Sequence, residues 1–149
     1  MPDTYICNRV HIIFSTKERR SVIAAERQAH TWEYMAGIAR NVHAKVFAIG
    51  GTGDHAHLLL GIPATEKLAE IVQKSKANSS RWLRTEGVAR FEWQAGYGAF
   101  SVSVSLMDTT IEYIRNQPEH HKRNSFEEEW KAILARHGIE CAVPDGTQV

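Results

Sequence analysis

Ala44-Lys45-Val46-Phe47-Ala48-Ile49-Gly50, then Gly51-Thr52-Gly53-Asp54, then His55-Ala56-His57-Leu58-Leu59-Leu60-Gly61-Ile62 before Pro63 is the stretch that decides the fold. Its first part is a β-branched and aromatic run, its middle carries the glycines and aspartate of a turn, and its last part is a second apolar run ended by proline. The pattern predicts a β-hairpin. Side chains alternate along a strand, so His55 and His57 project from one face while Ala56, Leu58 and Leu60 point to the other, where helices can cover them.

Toward the N-terminus, residues 5–15 read as another strand, with Ile6, Val10, Ile12 and Phe14 on one face and Arg9 and His11 on the other. Lys17-Glu18-Arg19-Arg20 is a polar break, and residues 24–41 are helical, with Trp32, Met35, Ile38 and Ala39 at core spacing. Beyond the hairpin, Thr65 is placed to cap a helix that carries Leu68, Ile71 and Val72 and reaches residue 83. Residues 86–98 are irregular and hold Gly87, Gly96 and Gly98, and residues 99–105 alternate Phe100, Val102 and Val104 as a strand. A helix over 107–117 stopped by Pro118 and a last helix over 125–137 ended by Gly138 complete the chain. The order β-α-β-β-α-β followed by helices predicts an α+β fold: a ferredoxin-like (RRM-like) antiparallel sheet with helices packed on one face, plus C-terminal helices. Residues 1–149 carry no repeat or linker and are expected to form one domain.

Hydrophobic residues at 43% and charged residues at 23% are an ordinary globular composition, and no apolar run is long enough to span a bilayer. The start lacks the basic-then-apolar pattern of a secretion signal, so a cytoplasmic protein is expected. Cys7 and Cys141, near opposite ends, are expected to be buried or idle thiols in a reducing compartment rather than a disulfide. A net charge of +1 does not advertise nucleic-acid binding, although a near-neutral total can conceal a basic face.

His55-Ala56-His57 is the most informative triplet. Two imidazoles on one strand face, with Cα atoms roughly 7 Å apart, can converge on one divalent ion. An isolated His-x-His also occurs on solvated strand faces. Histidine-triad nucleotide hydrolases require a third alternating histidine, where this chain has Leu59; two-histidine phosphoesterases require two His-x-Ser/Thr motifs, and none is evident. Tyr113 and Gln117 lie four residues apart and share a helix face. A tyrosine hydroxyl, with a pKa near 10, becomes a useful nucleophile when a metal polarises the electrophile. A glutamine oxygen one turn on can join two histidines in a mixed nitrogen and oxygen set with open positions, which suits Mg²⁺ or Mn²⁺. Tyr113 could equally pack and Gln117 be solvated; Tyr5, Tyr34 and Tyr97 are not favoured by spacing. His120-His121 is an alternative ligand pair, expected instead to contact DNA or water.

The chain resembles the single-tyrosine HUH transposases of the insertion sequence 200/605 family. The resemblance is carried by Arg9-Val10-His11-Ile12-Ile13-Phe14-Ser15-Thr16-Lys17-Glu18-Arg19-Arg20, by Gly53-Asp54-His55-Ala56-His57-Leu58-Leu59-Leu60 and by Lys74-Ser75-Lys76-Ala77-Asn78-Ser79-Ser80. Trp93-Gln94-Ala95-Gly96-Tyr97-Gly98-Ala99-Phe100 and Tyr113-Ile114-Arg115-Asn116-Gln117 with His120-His121 follow in family order. It implies that His55, His57 and Gln117 bind the metal and that Tyr113 is the nucleophile. It implies a 5′-phosphotyrosine intermediate in cleavage and rejoining of single-stranded DNA at hairpins near element ends. It also implies a homodimer, with an active site that two subunits can share, working in a bacterial or archaeal cytoplasm at the nucleoid. Ala56 is smaller than the family's usual residue there. Arg19, Arg20, Lys74, Lys76, Arg81, Arg84, Lys122 and Arg123 are the candidates for phosphate contacts. Two other readings stay open: a domesticated hairpin-DNA binder or nuclease, and a metal phosphodiesterase acting on small nucleotides.

Overall fold

The computed structural model describes residues 3–139. The hairpin forms as predicted: β2 (Lys45–Gly51) pairs antiparallel with β3 (His55–Gly61), Gly50 opposite His57 and Gly51 opposite Ala56. The other edge of β3 pairs antiparallel with β1 (Arg9–Ser15), which sets Ile13 opposite His57 and Ser15 opposite His55. β4 (Gly98–Ser101) adds to the outer edge of β1, giving the strand order β2-β3-β1-β4. Helices α1 (Ala25–Asn41) and α2 (Leu68–Thr85) cover one face. There Val10, Ile12, Phe14, Ala56, Leu58 and Leu60 meet Met35, Ala39, Ile71, Val72 and Leu83 in the main core. This is the ferredoxin-like architecture that the order of elements predicts.

The opposite face is also covered, by α3 (Met107–Arg115), α4 (Gln117–His120) and α5 (Phe126–Arg136). Leu59 packs with Ala48, Met107 and Ile114, and Ile13 packs with Phe100, Phe126, Trp130 and Ile133. β3 is buried on both faces, which explains the continuous Leu58-Leu59-Leu60 run at its far end from the histidines. Two glycines let these helices approach. A Cβ on Gly50 would lie 2.6 Å from the Ile114 carbonyl oxygen of α3, and one on Gly98 would meet the Trp130 ring of α5.

Several boundaries differ from the sequence reading. β1 starts at Arg9; the Ile62 N–H still donates to the Asn8 carbonyl at 2.8 Å, but Pro63 has no N–H to carry the pairing further, and Tyr5 and Ile6 are exposed. β4 is four residues long; the chain then leaves the sheet edge for a 3₁₀ turn at Val104–Leu106, so Val104 is exposed and Val102 half-buried. α2 begins at Leu68 with Lys67 at its N-cap, and Thr65 does not cap it; the preceding turn, with Glu66 N–H donating to the Pro63 carbonyl, delays the helix. Pro118 does not stop the chain. It sits in the first turn of α4, where a missing N–H is harmless, so the 107–117 helix becomes two short ones joined at Asn116. At α5, the Ser125 hydroxyl accepts from Glu128 N–H at 3.2 Å, and Gly138 takes a φ of 68° just past the helix end. Cys7 is exposed, and Cys141 lies outside the described residues. No described helix is long and apolar enough to cross a membrane.

Gly50→Ala is expected to push α3 off β2. Overpacking of this kind costs about 1–3 kcal/mol, so thermal denaturation should show a midpoint several degrees lower. An unchanged midpoint would show that the close approach of Ile114 to β2 is not a constraint.

Candidate metal and tyrosine site

The sheet face beneath α3–α5 carries His11, His55 and His57, all buried. Each arrives there by strand alternation from two neighbouring strands, and α3–α5 then seal them from solvent. His55 Nδ1 lies 2.7 Å from Asp54 Oδ1, and the Thr52 hydroxyl donates to the same oxygen at 2.9 Å. Burial alone would raise the Asp54 carboxyl, but the hydrogen bonds from His55 and Thr52 and the nearby His55 outweigh it and hold the carboxyl below its ordinary value. The ionised Asp54 therefore fixes the His55 proton on Nδ1 and turns the Nε2 lone pair into the site. His57 Nδ1 faces His11 Nε2 at 2.8 Å, and His57 Nε2 faces Glu129 Oε1 at 2.9 Å.

Glu129, on α5 and 4% exposed, is the centre of the cluster. Its Oε2 accepts from the Tyr113 hydroxyl, from Gln117 Nε2 at 3.0 Å and from His121 Nε2 at 3.1 Å. Burial would raise its carboxyl, but hydrogen bonds from His121 and His57, the nearby His57 and the Tyr113 phenol together hold it well below the carboxylate range. The anion in turn acts on its donors. Burial first, then the hydrogen bond and proximity to Glu129, lifts the Tyr113 phenol far above its ordinary value. His121 is raised because its bond to Glu129 overcomes its desolvation. His57 goes the other way, to about 4, since complete burial outweighs its bond to Glu129.

Gln117 donates its amide N–H to Glu129, so its Oε1 must face His55 Nε2, 2.8 Å away. With the His55 proton held on Nδ1 by Asp54, that contact sets one lone pair against another. Only a proton or a cation between the two atoms relieves it. With His57 Nε2 and a Glu129 oxygen alongside, the donor set fits a hard or borderline divalent cation.

The structure thus brings His55, His57, Gln117 and Tyr113 together within one chain, the Tyr113 ring 5.7 Å from that of His57. His120 and His121 do not project outward. The nearest atoms of both rings lie within 3.3 Å of Glu129, and His120 Nε2 is buried without a hydrogen-bond partner. Sequence reasoning missed Glu129, Asp54 and the role of His11. Glu129 hides in the acidic run Glu127-Glu128-Glu129, but helical phase aligns it with Phe126, Trp130 and Ile133, and that was its available signal.

The Transposase IS200-like family matches residues 5–117, more than two thirds of the chain. The chain belongs to the IS200-like transposase family. No curated protein is significantly similar to it. Two solved structures share its fold. One, from Deinococcus radiodurans R1 and assigned as a transposase, is 23% identical with a TM-score of 0.62 over 78% of this chain and 96% of the other. The second, a REP-associated tyrosine transposase bound to a REP hairpin, is 14% identical with a TM-score of 0.61 over 81% of this chain and 73% of the other.

In this IS200-like transposase the basic candidates divide. Arg19 reaches the site's rim, its guanidinium 5.7 Å over the ring of Phe126, which stacks on His55. Arg20, paired with Glu18, Lys122, paired with Glu119, and Lys74, Arg81 and Arg123 are exposed. Lys76 turns inward and donates to the Gln94 and Gly96 carbonyls at 2.7 and 2.6 Å, and desolvation lowers it to about 8. Arg84 donates to the Phe91 carbonyl at 2.8 Å. Both of these last two serve the 86–98 loop.

Burial holds His57 down to about 4 and His11 well below 6.5, so the unfolded chain binds protons that the folded chain refuses. Their contribution to stability is complete above pH 6.5 and is lost as pH falls toward 4; His121, raised, opposes it in part. Thermal midpoints measured down that range should fall. A midpoint that stays level or climbs would contradict the buried neutral pair.

Proposed function

We propose that the protein is a metal-dependent endonuclease and strand transferase that acts on single-stranded DNA, with Tyr113 as nucleophile. The observation that carries this reading is the convergence of the Tyr113 phenol with His55, His57 and Gln117 in one buried cluster of one chain. Membership of a transposase family supports it. His55, His57 and Gln117 would hold Mg²⁺ or Mn²⁺, which supplies electrophilic polarisation of a phosphate and stabilisation of a departing oxygen.

The chain's own groups account for the rest. The Tyr113 hydroxyl already donates to Glu129 Oε2, so its proton has an acceptor as the phenol oxygen forms its bond to phosphorus. The P–O bond to the 3′ oxygen breaks, leaving a free 3′ hydroxyl and a 5′-phosphotyrosine. Attack by the 3′ hydroxyl of a second strand reverses the step and returns the proton to Tyr113, so the bond energy is retained. Asp54 and His11 orient the two imidazoles by hydrogen bonds at Nδ1. One chain gathers the whole set, which supports a site assembled in cis. A structural neighbour is bound to a hairpin, which supports hairpin DNA as the substrate class; Arg19, over the Phe126 ring, lies at the rim of the site.

Incubation with end-labelled single-stranded hairpins and Mn²⁺ should give a protein–DNA adduct that survives a denaturing gel. Tyr113→Phe should reduce it to background while hairpin binding persists, and His57→Ala should reduce it at least about a hundredfold, the scale of general acid–base or metal contributions. An adduct that survives in Tyr113→Phe, or hairpin binding with no adduct in the wild type under any divalent ion, would overturn the proposal.

A further inference from the structure

We infer that the Glu129 carboxylate is a fourth ligand of the divalent cation assigned to His55, His57 and Gln117. The inference rests on that assignment and adds a residue beyond the matched family region, which ends at Gln117. Glu129 Oε1 lies 2.9 Å from His57 Nε2 and 3.5 Å from His55 Nε2, while Gln117 Oε1 lies 2.8 Å from His55 Nε2. Adjacent donors around an octahedral cation with bonds of about 2.1 Å are separated by about 3 Å. The spacings among these four side chains already have that scale.

The chemistry agrees. Two imidazoles and an amide oxygen are all neutral, and hard cations of this class favour carboxylate oxygen. Glu129 supplies one negative charge inside the donor set, and among the described residues no other carboxylate lies as close to both histidine Nε2 atoms. It is also held in place. Ser125 caps α5, Phe126 stacks on His55 with centroids 4.6 Å apart, and Trp130 fills the space that Gly98 leaves open. Oε2 meanwhile keeps its bonds from Tyr113, Gln117 and His121, so the carboxylate ties the nucleophile to the cation.

His11 makes this possible at His57. Without a cation, neutral His57 donates its Nε2–H to Glu129 and accepts at Nδ1 from His11 Nε2–H. With the cation present, His57 carries its proton on Nδ1 and donates it to His11 Nε2, which frees its Nε2 lone pair. The 2.8 Å contact serves both arrangements.

Calorimetric titration of the DNA-free protein with Mn²⁺ alone tests the inference. Wild type should bind, His57→Ala should abolish binding, and Glu129→Gln should weaken it at least about tenfold. Equal affinity in Glu129→Gln and wild type would overturn the fourth ligand and leave the His55, His57 and Gln117 assignment standing. No binding by wild type, or binding untouched by His57→Ala, would overturn both. If circular dichroism shows Glu129→Gln unfolded, anomalous diffraction from Mn²⁺-soaked wild-type crystals decides. A Glu129 oxygen within about 2.5 Å of the Mn²⁺ peak supports the inference, and a carboxylate turned away from an ion held by the other three overturns it.

Discussion

A carboxylate buried among imidazoles, a phenol and an amide is the constraint on which the rest of this molecule depends. An isolated buried anion is severely unfavourable, and Glu129 is tolerated only because donors from α3, α4 and β3 converge on it. Each donor is fixed by that requirement. Tyr113 is turned inward, the Gln117 amide has one allowed orientation, and His57 is held against His11. Burial, together with the same anion, keeps the phenol protonated in the resting site, and the anion raises His121.

Much of this arrangement was legible in the sequence. Period-two alternation in His55-Ala56-His57 put both imidazoles on one sheet face, and burial of Ala56, Leu58 and Leu60 on the other follows from the same pattern. The four-residue spacing of Tyr113 and Gln117 led to the correct juxtaposition even though Pro118 splits the helix there, since Asn116 turns the chain without changing its course. Glu129 was not legible, because three consecutive glutamates at a helix start read as charges favoured by the helix dipole in solvent. Only the fold shows that one of the three faces inward. His120 and His121 were misplaced for a related reason: the sequence after Pro118 gives no hint that α4 and α5 fold back over the sheet.

The fold explains why a histidine-rich face can be dry. Ferredoxin-like sheets with two helices leave one side open, and here that side is closed by the segment after the 3₁₀ turn at Val104–Leu106. Gly50 and Gly98 set how closely α3 and α5 lie on the strands, and so how far the phenol and the carboxylate reach toward the imidazoles. Local backbone choices far from any reacting atom thereby fix the distances on which the proposed chemistry depends.

The central claim is that Tyr113, alone among the chain's four tyrosines, meets a phosphate beside the two histidines. Proteolysis of the protein after reaction with a short single-stranded hairpin, nuclease trimming and mass spectrometry would locate the modified residue. The account predicts a nucleotide-phosphate mass on the peptide holding Tyr113. The same mass on a peptide holding Tyr5, Tyr34 or Tyr97, with Tyr113 unmodified, would contradict it.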